Sequence, residues 1–227
     1  MDRRIEIIHE DEHILVCHKY PGIAVETADL SKKDMMGELR QYLRGGGLYM
    51  IHRLDQPVEG LVVFAKDKES AAALSKAVSA EGMNKVYLAE CYGNALTGSG
   101  ELTDHVKKAK KGNVSTIISK NDPEAKEAKL KYEVLDKQER TSLLRIKLGT
   151  GRHHQIRLQL SNAGMSILGD RKYAGEEAMR YSEEHNIKDI RLCACRLEFS
   201  HPATKEKIDL KILPAWCFTY KEVSDRL

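Results

Sequence analysis

The chain has 227 residues, 41% of them hydrophobic and 31% charged, with a formal net charge of +3. That length suffices for a sizeable core, and the balance is ordinary for a globular protein. No apolar run approaches the roughly 18 residues needed to span a bilayer, and the opening MDRRIEIIHEDEH is too charged for a secretory segment, so a cytoplasmic protein is expected.

The first elements read as strands. Ile5–Ile8 and Ile14–Cys17 are short apolar runs around an Asp-Glu turn, and Lys19-Tyr20-Pro21-Gly22 interrupts the pattern with turn chemistry. Ser31 is the expected N-cap of a helix through about Arg44, with Met35, Leu39 and Leu43 four apart and Gly45-Gly46-Gly47 ending it. Two apolar strands follow, Leu48–Ile51 and Leu61–Ala65, and the Ala-rich segment from Lys68 to Glu81 predicts a second helix before Gly82.

The middle of the chain alternates short β-like runs at Lys85–Tyr92, Gly100–Val106, Val114–Ile118, Ala128–Val134 and Leu143–Leu148. A short helix is expected over His154–Ala163, where Ile156 and Leu160 lie four apart, and another over Glu176–His185. Cys193–Phe199 and Ile208–Ile212 read as the last strands, and the tail from Trp216 as a short helix. Strands interspersed with a few helices predict an α+β fold on a mixed or antiparallel sheet.

Between the strands at Leu48–Ile51 and Leu61–Ala65 lies His52-Arg53-Leu54-Asp55-Gln56-Pro57-Val58-Glu59-Gly60. An imidazole, a guanidinium and a carboxylate crowd into four positions before a Pro and a Gly. On spacing alone the stretch is either a surface turn with a local Arg–Asp pair or a site carried on a rigid scaffold. The run His105-Val106-Lys107-Lys108-Ala109-Lys110-Lys111 is either a solvated face or a phosphate-contacting loop. Five scattered cysteines argue against a disulfide framework, and Cys193 and Cys195, one residue apart within a strand-like run, fit buried thiols better than a metal site.

The HRLD turn resembles the catalytic motif of the RluA-type pseudouridine synthases. Further segments resemble the same family in order along the chain: Lys19-Tyr20-Pro21-Gly22, Lys85-Val86-Tyr87, Gly151-Arg152-His153-His154-Gln155-Ile156-Arg157, Gly164 to Asp170 with Tyr173, and Leu197 to Pro202 with Leu213-Pro214 and Trp216. The chain departs from the family pattern at Val58-Glu59, where Thr-Ser is usual, and at Cys193, where a His is usual.

The resemblance implies one catalytic domain over residues 1–227, with the synthase-type sheet core and flanking helices and no separate N-terminal RNA-binding domain. It implies isomerisation of uridine to pseudouridine in structured RNA, transfer or ribosomal, with the base flipped out and no cofactor or metal. Asp55 would be the catalytic carboxylate, Arg157 its guanidinium partner and Tyr87 the aromatic stacked on the uracil. Leu192 would be a pocket wall, and His52, Arg53, Arg152 and His153 would face RNA. RNA is the expected partner of a monomeric protein. The alternative is a non-catalytic RNA-binding protein that keeps the fold. An unrelated hydrolase using Asp55 has no Ser nucleophile elbow or metal-ligand spacing to support it.

Overall fold

The computed structural model describes residues 1–29, 31–80, 82–220 and 223. They group into two compact units, Met1–Lys85 with Cys193–Pro214, and Val86–Leu192 with the C-terminal stretch from Ala215.

In the first unit, β1 (Ile5–Glu10) pairs antiparallel with β2 (Ile14–Lys19), which pairs antiparallel with β4 (Glu59–Ala65). The Asp-Glu turn between β1 and β2 is held by Asp11, whose carboxylate accepts from the His13 and Ile14 N–H groups at 2.7 and 2.9 Å. Both β2 and β4 are buried along their whole length, as a near-continuous apolar run predicts for central strands. The other edge of β4 is divided. Its far end pairs with the two-residue β3 (Tyr49–Met50), and its start pairs in parallel with β10 (Leu192–Ser200), Glu59 opposite Cys193 and Gly60 opposite Ala194. Strand β11 (Lys207–Lys211) completes the sheet beside β10. One face buries Ile14, Val16, Leu61, Val63, Leu197 and Phe199 beneath Leu74 of α2 (Lys68–Ser79).

The first helix and β4 have boundaries that differ from those expected. The first helix, α1, spans Met35–Tyr42, and its N-cap is Asp34, not Ser31. The Asp34 carboxylate accepts from the N–H groups of Gly37 and Thr27, both at 2.8 Å, whereas Ser31 is engaged by Asp29 through its hydroxyl and its N–H. Arg44 and Gly45, at φ 51° and 89°, turn the chain out of the helix. Strand β4 begins at Glu59, two residues early, because Glu59 and Gly60 pair with β10. The expected end of α2, Glu81, lies outside the described residues.

In the second unit β5 (Met83–Tyr92) pairs through its later residues with β9 (Thr141–Leu148). β9 pairs with β8 (Lys126–Lys137), β8 with β6 (Ser99–Lys108) and β6 with β7 (Ser115–Ile117), all antiparallel. Leu158 of α3 (Gln155–Asn162) packs on Val106 and Ala128 of this sheet. Helix α4 covers Glu176–Glu184, and a 3-10 turn at Ala215–Thr219 stands where the tail helix was expected. Among the described residues no helix is long and apolar enough to cross a membrane.

Candidate active site

Asp55 sits half-exposed in the stretch that connects β3 to β4, where a tight turn is closed by the Val58 N–H donating to the Asp55 carbonyl at 3.0 Å. That turn is fastened from beneath by Lys19, the last residue of β2. Its side chain is fully buried, and Nζ donates to the carbonyls of Val58 at 2.7 Å and Gln56 at 2.9 Å. Gly22 adds a second fastening: its N–H donates to Gln56 O at 3.0 Å, and Gln56 Nε2 donates back to Gly22 O at 3.2 Å. Burial pushes the Lys19 ammonium down to about 7, against the pull of the Asp55 and Glu59 carboxylates. Lys19 had no role in the sequence reading. A lysine after a strand looks like a surface residue until the strand is known to be central.

Gly60 follows the turn at φ 142°, and a Cβ there would stand 2.5 Å from the Ala194 backbone nitrogen. The glycine is required because the β10 backbone passes directly over it.

His52 and Arg53 point different ways. Arg53 is exposed. The His52 imidazole turns inward, and Nε2 accepts from the Val63 N–H at 3.4 Å, so the side chain takes up a β4 edge position that β3 has left and β10 has not reached. Nδ1 is shielded from solvent without a hydrogen-bond partner among the described residues. Burial, with a further push from the Lys85 charge, lowers the imidazole to about 3, so the ring is neutral near pH 7. A neutral, inward ring supports the scaffold and is poorly suited to the RNA-facing role expected of it.

In the second unit Tyr87 is buried in β5, opposite Ile146 of β9. Arg157, buried in α3, binds Asp170 through Nε and Nη2 at 2.8 and 2.7 Å, and its guanidinium lies 5.1 Å from the centre of the Tyr173 ring. Tyr173 in turn bonds His154 Nδ1 and accepts from the Ser115 N–H, each at 2.8 Å. Gln155 orders the loop before α3 by accepting from the Arg152 N–H at 2.9 Å and the Thr150 hydroxyl at 2.8 Å. The Arg152 side chain is exposed, with Nε donating to Glu127 O at 2.9 Å. The His153 ring stacks on His154 with centroids 3.7 Å apart and engages Ser115 and Asn113 through its two nitrogens, each at 2.9 Å. Leu192 is buried at the start of β10. All five cysteines are buried thiols, and among the described residues no group of three or more His, Cys, Asp or Glu side chains could hold a metal ion.

The model of the RNA pseudouridylate synthase family matches residues 13–162, a span that takes in the Asp55 turn, Tyr87, Arg152 and Arg157 and runs through both units. The chain belongs to the RluA-type RNA pseudouridine synthases.

Among relatives of this synthase, the dual-specificity RNA pseudouridine synthase RluA of Vibrio cholerae is 29% identical over all of this chain and 88% of its own length. The tRNA pseudouridine synthase C of Pasteurella multocida is 30% identical over 91% of this chain and 90% of its own. The ribosomal large subunit pseudouridine synthase C of Rickettsia bellii is 32% identical over 78% of this chain, but only 59% of its own length is matched. The fold is shared with human RNA pseudouridylate synthase domain containing 4, at a TM-score of 0.75 and 22% identity over 92% of this chain and 89% of that one. The α+β architecture expected from the strand and helix pattern is therefore that of the synthases. Their reaction class, isomerisation of uridine to pseudouridine in RNA, is that of this chain.

Proposed function

We propose that this synthase acts on uridine in structured transfer or ribosomal RNA with Asp55 as its catalytic carboxylate. Tyr87 supplies the stacking ring, Leu192 a pocket wall and Arg157 the guanidinium that partners the carboxylate. Arg53, Arg152 and His153 meet the RNA. Residues 1–227 work as one catalytic domain, as a monomer in the cytoplasm.

The observation that carries this reading is the fastening of the Asp55 turn. A turn held at residues 56 and 58 by a buried lysine, and closed on the Asp55 carbonyl, presents one carboxylate in a fixed direction while leaving it half-exposed. A flipped uridine can meet such a group. The bond between the sugar C1′ and uracil N1 breaks, the base turns, and C1′ joins C5. The C5 hydrogen leaves as a proton, and N1 gains one. Asp55 serves this exchange as a nucleophile on C1′ or as a base on the sugar.

The test is release of tritium from RNA labelled at uracil C5. Wild-type protein is expected to release it from transfer or ribosomal RNA, and Asp55→Ala to release none. Turnover by Asp55→Ala at the wild-type rate would overturn the assignment. Tight RNA binding by a wild-type protein that releases nothing would favour the non-catalytic reading.

A further inference from the structure

The short loop from Asp170 to Tyr173 holds Arg157 at two points. Asp170 takes one edge of the guanidinium, through Nε and Nη2. The guanidinium carbon also lies over the Tyr173 ring, 5.1 Å from its centre, inside the range of about 6 Å in which a cation is drawn to an aromatic face. The loop is a single frame. Asp170 Oδ1, which accepts from Arg157 Nη2, also accepts from the N–H groups of Lys172 at 2.9 Å and Tyr173 at 3.3 Å. The Tyr173 carbonyl accepts from the Ser161 hydroxyl of α3 at 2.5 Å. The far end of the ring is braced as well. Its hydroxyl is held by the Ser115 N–H and His154 Nδ1, and the His154 ring meets it edge-on with centroids 5.5 Å apart. His153 adds to the brace, bonding Ser115 Oγ while stacked on His154.

We propose that Tyr173 is a positioning residue for the reaction, its braced ring setting the tilt of the Arg157 guanidinium. The inference rests on the reading of Arg157 as the guanidinium that partners the catalytic carboxylate.

A bidentate pair with Asp170 fixes one edge of the guanidinium but lets the group rock about that edge. A second contact, from a ring that cannot itself swing, limits the rocking and keeps one orientation for the partner carboxylate. Tyr173 also packs with Val106, Ala128 and Leu158, so removing the ring costs stability whatever happens at Arg157. A decisive substitution changes the charge distribution of the ring and not its shape. Fluorine withdraws electron density from the ring face and weakens its hold on a cation, while the nearly isosteric ring keeps its packing. Turnover then follows the number of fluorines if the ring acts on Arg157 through its face, and stays level if the ring only fills space.

The experiment measures tritium release from C5-labelled RNA for wild type, Tyr173→Phe, variants carrying mono-, di- and trifluorinated phenylalanine at position 173, and Arg157→Lys, with melting temperatures. Tyr173→Phe is expected to lose little, since the ring face remains. Expected along the fluorinated series is an unchanged KM for RNA and a kcat that falls with each fluorine, by about tenfold from Tyr173→Phe to the trifluorinated ring, at nearly constant melting temperature. A level kcat would overturn the inference, as would a fall that tracks melting temperature or that appears in KM instead of kcat. So would a wild-type protein in which NMR finds no cross-relaxation between the Arg157 side chain and the Tyr173 ring protons, a measurement that needs no variant and no activity. Wild-type turnover in Arg157→Lys would instead sink the reading of Arg157, and the inference with it. Turnover that depends on Arg157 but not on fluorination sinks the inference alone.

Discussion

Arg157 binds Asp170 through two parallel hydrogen bonds of 2.8 and 2.7 Å, and both side chains are almost wholly shielded from water. A planar guanidinium meets a carboxylate in this way, and an ammonium cannot. Removing either partner breaks a buried, doubly hydrogen-bonded ion pair. Asp170→Ala is therefore expected to lower stability by about 3–5 kcal/mol, read by denaturant unfolding. Arg157→Lys is expected to fold, bind RNA and turn over poorly. Wild-type turnover in Arg157→Lys would remove the guanidinium from the reaction.

The pairing of His13 with Asp67, at 3.0 Å, should make stability depend on pH in two directions. Asp67 is held down to about 2, first by the Ser70 N–H and hydroxyl and then by His13. Its contribution is complete above 3.8, the ordinary aspartate value, and is lost as pH falls through 2. His13 is raised above 6.5 by the Asp67 bond, so its contribution is complete below 6.5 and is lost as pH rises through the raised value. Melting temperature is expected to flatten on the alkaline side in His13→Gln. Asp67→Ala also removes the N-cap of α2 and should cost about 1 kcal/mol at neutral pH. An unchanged alkaline slope in His13→Gln would assign that slope to other groups.

Gly60 and Gly45 separate two costs of adding a methyl group. Both have positive φ, but a Cβ at Gly45 meets nothing within 4 Å, whereas at Gly60 it collides with the Ala194 backbone. Gly45→Ala should cost about 1 kcal/mol through backbone strain alone. Gly60→Ala should cost more, since the strand pair must part, and should move the turn that carries Asp55. Equal melting temperatures for the two variants would contradict the close approach of β10.

Lys108, Lys110 and Lys111 are exposed around the turn between β6 and β7, whereas Lys107 is engaged by Glu124. The same turn is joined to His153 through Asn113, and Lys172 donates to the Asn113 carbonyl at 2.9 Å. If the turn meets phosphates, replacing Lys110 and Lys111 with Ala should weaken RNA binding at low salt and reduce the slope of log affinity against log salt by about 1 per lysine. The same slope in wild type and variant would return the run to its bland reading as a solvated turn.

The architecture was legible in the sequence wherever apolar periodicity was unbroken. β2, β4, β5 and β9 are buried runs with turn residues at their ends, and each lies close to its expected place. The Asp55 turn was legible because its unusual residues are consecutive. Lys19 was not, because its role comes from burial in a central strand. The scaffold contact of His52 was not legible for a related reason. Next to Arg53 it looks like a second surface cation, yet its imidazole substitutes for a missing strand neighbour, which no spacing along the chain reveals. Asp170 lay within a quoted motif without a role, since nothing in the sequence says that Arg157, 13 positions earlier, returns to meet it.

The divided edge of β4 has a consequence for how this synthase can vary. The stretch carrying Asp55 departs beside one end of the strand and re-enters at the other end of the same strand, so both of its anchors belong to one rigid body. A relative could exchange side chains between those anchors wherever Lys19 and Gly22 hold only the backbone, at Gln56 O and Val58 O. What it could not do is shift β4 by a single position, because that would turn every side chain of the strand to the opposite face and carry the aspartate with it. The address of the carboxylate is thus set in whole-residue steps by strand pairing, leaving the side chains of the intervening turn, though not its length, to vary.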